Sequence, residues 1–133
     1  MTLSLNQTFA HFFLVDFKVY QGFMDVFNDQ NPLHTNAEFA VKKGFKEKVM
    51  HGNILNGFIS YFVGELLDNK NVMILSQTIN FKKPVYLNDQ LQFEAVVSEQ
   101  SEAVQVNVIS FKFRNEGKHI VATGKIQIKE LAQ

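Results

Sequence analysis

Residues 52–67 are apolar on nearly every side of a helix, with Ile54, Leu55, Phe58, Ile59, Phe62, Val63, Leu66 and Leu67 leaving no broad polar face. Such a helix must be wrapped by the rest of the chain. Its exception is a narrow row of small or polar residues, Asn53, Gly57, Ser60 and Gly64, spaced to share one face. The wrapping material follows directly. After Asn69 the apolar residues change to period two, and residues 72–81, 90–99, 104–114 and 119–131 read as long strands. In the last of these Ile120, Ala122, Gly124, Ile126 and Ile128 alternate. Residues 8–15 add an edge strand ahead of the helical part. A curved antiparallel sheet whose concave face covers one long helix satisfies this order, which makes the fold class α+β.

The punctuation between these elements is legible. Asp16 is placed to cap a helix carrying Phe17, Tyr20, Phe23, Met24 and Phe27, and Thr35 with Glu38 has capping-box spacing. Gly44, after Lys42 and Lys43, suits a left-handed C-cap. Asn88-Asp89, the polar residues 99–102 and Asn115-Glu116-Gly117 are turns, with Gly117 expected at a left-handed position. The apolar set changes parity between Val104, Val106, Val108 and Ile109, Phe111, Phe113, which predicts a bulge near Val108.

The chain is 133 residues long, the size of one ordinary domain, and no repeat or linker divides residues 1–133. Lys+Arg and Asp+Glu are 13 each, so no global charge favours nucleic acid or a membrane surface. The absence of cysteine removes disulfides, zinc-thiolate sites and thiol nucleophiles, and it fits a reducing compartment. No basic stretch precedes the short apolar run at residues 12–15, and Asn56 and Glu65 interrupt the longest apolar segment. A soluble cytoplasmic protein is expected.

The chemistry-bearing stretch is Asp29-Gln30-Asn31-Pro32-Leu33-His34. Pro32 stiffens the turn and keeps Asn31 out of helical geometry, so a carboxylate and an imidazole can be turned the same way. Such a pair suits reversible hydration, in which one group orients and deprotonates a water and the other delivers a proton to carbon. Fixed amide donors at the start of the long helix, around His51-Gly52-Asn53, are placed to hold an enolate, and Gly52 admits a thioester oxygen close to the backbone.

This segment resembles the hydratase motif of the MaoC-like family of (R)-specific enoyl-CoA hydratases, reproducing Asn31-Pro32-Leu33-His34 intact behind Asp29. The resemblance continues through Phe39-Ala40, residues 49–52, Ser60, residues 81–85 and Asn88-Asp89. Departures are Asn53 in place of a usual methionine, Asn28 before the aspartate, and no Pro-Gly after the helix. The resemblance implies a hotdog fold, a catalytic pair at Asp29 and His34, a thioester-binding amide at Gly52, and substrate contacts from Asn31, Ser60 and Val63. It implies no cofactor beyond the coenzyme A or phosphopantetheine carried by the substrate, and a homodimer. An exposed sheet edge points to the same dimer, with two sheets joined edge to edge.

Other residues have plainer readings. His51 reads as structural or as a neighbour of the catalytic groups, and His11 and His119 as scaffold. Asp29, His34 and His51 lack metal-ligand spacing, so no metal is expected. Ser60, without a paired base, reads as a pocket wall rather than a nucleophile. Lys42, Lys43, Lys46 and Lys48, with Lys82 and Lys83, form two basic clusters that could meet coenzyme A phosphates or an acidic acyl carrier protein. A hotdog thioesterase and a non-catalytic acyl-binding subunit are the alternatives to a hydratase.

Overall fold

The period-two segments form strands and the apolar run forms the central helix in a computed structural model, which describes residues 1–132. Strand β1 (Thr8–Leu14) leads into helices α1 (Phe17–Phe27), α2 (Pro32–Thr35) and α3 (Ala37–Lys42). The central helix α4 (Asn53–Tyr61) continues as a π-helical turn over Phe62–Leu66. Strands β2 (Val72–Phe81), β3 (Gln90–Ser101), β4 (Val106–Arg114) and β5 (Ile120–Glu130) complete the chain. All pair antiparallel in one sheet of order β1-β3-β4-β5-β2, leaving β1 and β2 at its edges. Phe93 and Phe113 from the sheet close over Ile59 and Phe62 of the helix, all fully buried, and Phe13 stacks on Phe58 with ring centroids 4.5 Å apart. This is the hotdog arrangement.

Most local signals act as their chemistry dictates. Asp16 accepts the Val19 N–H and caps α1, and Gly44 sits at φ +96° beyond α3. Gly124 is required by close approach, because a Cβ there would stand 2.0 Å from the Thr78 carbonyl oxygen, a backbone atom that cannot yield. The turn of the central helix into β2 is closed by Lys70, whose Nζ donates to the carbonyls of Gly64, Glu65 and Leu67.

Four expectations are corrected. The cap of α3 is Asn36, whose side chain accepts the Phe39 N–H, because the Thr35 hydroxyl turns back to the Gln30 and Asn31 carbonyls. In the β4–β5 turn, Lys118 rather than Gly117 takes the left-handed conformation, at φ 64°. The bulge lies across the ladder from Val108: register shifts between Val97 and Glu99 on β3, while β4 alternates without a break. The core-facing position that the sequence assigned to valine belongs to Asn107. Finally, the central helix is not covered all round. One sheet wraps only one side of a cylinder, and Asn53, Gly57, Ser60 and Gly64 remain exposed in the single chain, beside Tyr61 and Glu65.

Asn107 faces inward because a carboxylate waits there. Its Nδ2 donates to Glu130 Oε2 at 2.8 Å, and Gln100 donates to its Oδ1 at 2.7 Å. Glu130 also accepts from the Thr2 N–H at 2.7 Å and hydroxyl at 2.5 Å, tying the N-terminal segment to the last strand. Burial pushes the Glu130 carboxyl up, but the donors of Thr2, Asn107 and Asn69 outweigh it and hold the group below its ordinary value. A lowered folded-state value gives stability that is present above the unfolded value of about 4.3 and is lost as pH falls through the folded one. Glu130→Gln is therefore expected to cost roughly 2 kcal/mol at neutral pH. Thermal melts against pH should show a Tm deficit of roughly 5–10 °C near pH 7 that closes in acid.

Candidate active site

Between α1 and α4 the chain makes the turn that carries the predicted pair. Asn28 ends α1 in a left-handed conformation at φ 55°, and Asp29 follows outside regular structure. Asn31 then caps the single-turn helix α2, its side chain accepting the Leu33 N–H, with Pro32 at the first helical position. That turn fixes His34. The His34 Nδ1 lies 2.8 Å from the Val49 carbonyl, and since a carbonyl can only accept, Nδ1 carries the proton and Nε2 presents its lone pair. His34 Nε2 and Asp29 Oδ2 are 4.0 Å apart. The gap is too long for a direct hydrogen bond, yet a single water about 2.8 Å from each atom can bridge it.

The pair opens on a cavity of about 470 Å³ that is also lined by Phe23, His51, Gly52, Asn53, Lys82 and Lys83. Gly52 stands at the mouth of α4, and its N–H finds no acceptor among the described residues. The Phe81 ring lies against its Cα face, where a Cβ would meet Cζ at 2.9 Å. Lys82 and Lys83, next along the chain from Phe81, are exposed and also line the cavity.

The structure thus brings Asp29, His34, Gly52, Lys82 and Lys83 around one cavity. It leaves three predicted residues outside it. The Asn31 carboxamide is engaged in capping, Ser60 faces outward on α4, and Val63 is packed in the core. Two neighbours of the pair were not singled out as functional by sequence reasoning. His51, 3% exposed, lies against His34 with centroids 4.0 Å apart, and the Tyr20 hydroxyl donates to the His34 carbonyl at 2.6 Å. The only sequence signal for His51 is its place beside Gly52; nothing in the helical pattern separates Tyr20 from its aromatic neighbours. Asp29, His34 and His51 are also the residues that could hold a metal ion, with ligating atoms within 4.8 Å of one another. His51 is a poor ligand here, because Nε2 is taken by the Asp29 carbonyl and Nδ1 is enclosed.

Residues 19–118 match the MaoC like domain. The chain belongs to the MaoC-like family. Within that family it is similar to the (R)-specific enoyl-CoA hydratase of Aeromonas caviae, 28% identical over 108 residues that make up 81% of each chain. It is also similar to a mitochondrial 3-hydroxyacyl-[acyl-carrier-protein] dehydratase of Arabidopsis thaliana, 26% identical over 79% of this chain and 64% of that one. Among solved structures, the unliganded R-hydratase PhaJ1 of Pseudomonas aeruginosa superimposes with a TM-score of 0.87, covering 98% of this chain and 84% of that one at 27% identity. This MaoC-like chain therefore shares its hotdog architecture with hydratases, and no helix among its described residues is long and apolar enough to cross a membrane.

Proposed function

We propose that this MaoC-like protein is a hydro-lyase that adds water to trans-2-enoyl thioesters with (R) stereochemistry, and removes it from (R)-3-hydroxyacyl thioesters. The observation that carries the reading is the Asp29–His34 pair, held at a separation one water can bridge, beside an N–H of Gly52 with no acceptor among the described residues. In the forward direction the water oxygen bonds to the β carbon, the pair takes one water proton, and a proton is returned to the α carbon. Charge developing on the thioester oxygen is met by the Gly52 amide at the positive end of α4. The names of the Aeromonas and Arabidopsis relatives support the reaction class.

The reading includes two partners. Exposed Lys82 and Lys83 on the cavity wall suit the phosphates of coenzyme A or of a phosphopantetheine carrier. Strand β2 is a long free edge with Met73, Ile74 and Leu75 exposed, the kind of edge that a second copy covers in a homodimer of this soluble, cytoplasmic enzyme. Such a copy could also cover the exposed row carrying Ser60, completing a pocket wall that the single chain leaves open. The decisive assay presents short trans-2-enoyl groups on coenzyme A and on acyl carrier protein. Loss of the conjugated double bond, with formation of the (R)-3-hydroxyacyl product and no free thiol, is expected. Release of thiol without hydration would make the protein a thioesterase, and no turnover on either carrier would make it a binding subunit.

A further inference from the structure

The loop that carries the two reactive side chains is held at both ends by side chains that do not react. At one end His51 Nε2 lies 2.8 Å from the Asp29 carbonyl, so Nε2 carries the proton and donates it. At the other end the Tyr20 hydroxyl donates to the His34 carbonyl. The His51 ring is enclosed by Tyr20, Phe23 and His34, with centroids 5.9, 4.7 and 4.0 Å away, and its Nδ1 is buried without a hydrogen-bond partner among the described residues. A phenylalanine would fill that aromatic slot without burying an unsatisfied acceptor, which proteins generally avoid. What an imidazole supplies there, and a phenyl ring does not, is the proton on Nε2.

That proton acts on a residue with few other restraints. The Asp29 side chain is 51% exposed, and its only other hydrogen bond among the described residues is a long one from the Asn31 N–H at 3.2 Å. His34, by contrast, is held by Val49, Asn31 and Tyr20. The separation of the two reactive groups therefore depends on how firmly Asp29 is held. At a separation much below about 4 Å the two acceptors would leave no room for a shared water between them; beyond roughly 5.5 Å one water could no longer reach both.

We infer that His51 is a positioning residue that fixes the Asp29 carboxylate at water-bridging distance from His34 through its hydrogen bond to the Asp29 carbonyl, with Tyr20 anchoring the other end of the loop. The inference rests on Asp29 and His34 being the reactive pair. It is tested by trans-2-enoyl-CoA hydration with His51→Phe, which keeps the ring and removes the donor, and His51→Gln, whose amide can donate to the same carbonyl. Misplacing one reactive group by about an ångström costs on the order of a hundredfold. His51→Phe is accordingly expected to lose about that factor in kcat with KM little changed and Tm no lower than the parent. His51→Gln is expected to recover about a tenth of the parent kcat or more. In an Asp29→Asn background His51→Phe should have little further effect, since a residue acting through Asp29 has nothing left to position. Parental kcat in His51→Phe, failure of His51→Gln to recover activity in a folded protein, or full additivity with Asp29→Asn would overturn the inference. Should Asp29→Asn and His34→Asn themselves keep full activity, the reactive pair is wrongly assigned, an outcome distinct from failure of His51 alone.

Discussion

Asp29→Asn is expected to reduce kcat for hydration of a trans-2-enoyl thioester by about 10³–10⁴-fold, and His34→Asn by a similar factor. The substitution at 29 is close to isosteric and can keep the side-chain bond from the Asn31 N–H and the backbone bond to His51, so the loop should stay in place. What is lost is the capacity to take a proton. At His34 the lone pair on Nε2 disappears, while the asparagine amide can still donate to the Val49 carbonyl from near the Nδ1 position. Steady-state hydration of a short enoyl-CoA by each variant, with melting curves in parallel, measures both. Because the two groups act on one water, the double variant should be scarcely slower than either single one, as groups acting as a unit are strongly non-additive. Additive losses would mean that they act on different atoms, and the shared-water scheme would fail.

How far the site could be read from the chain divides along physical lines. Asp29 and His34 are legible because five residues and a proline determine their relation: the turn is local, and its cap and helix are made by Asn31 and Pro32 themselves. The strands are legible for a similar reason. Leu91, Phe93, Ala95 and Val97 alternate in sequence and lie buried on one face of β3, and β2 runs from Val72 to Phe81 as the sequence places it, although a bulge between Ile74 and Ser76 breaks its register. What sequence does not reveal is set by contact between distant segments. His51 meets Asp29 across 22 positions, and the Val49 carbonyl that fixes the His34 tautomer is a backbone atom with no signature at all. Asn107 looks like an interruption of a valine pattern until Glu130 comes alongside it. Thr35 and Asn36 are both good caps, and only the carbonyls behind Thr35 decide between them. The helix row of Asn53, Gly57, Ser60 and Gly64 was visible as a pattern, but its exposure depends on how much of the helix one sheet can enclose.

The amide at the head of the central helix makes the second large prediction, and a backbone donor can be removed without truncating any side chain. Gly52 has φ −58°, close to the value a pyrrolidine ring imposes, and its N–H is bonded to nothing among the described residues. Gly52→Pro thus deletes a donor that the folded chain does not use for itself, at a position where proline is compatible with a helix start. The loss of one such donor to a developing oxyanion is worth about 10²–10³ in kcat, and that is the expected result for hydration of an enoyl-CoA. Gly52→Ala is the necessary partner, since any side chain must displace the Phe81 ring. Phe81 is half exposed and contacts the added carbon with the far end of its side chain, so it can swing outward at little cost. The alanine variant keeps the N–H and is expected to stay within about tenfold of the parent, so the difference between alanine and proline isolates the amide. Equal kcat in the two variants would leave the thioester oxygen without its donor at Gly52 and move the search to Asn53, the next residue of α4 on the cavity wall.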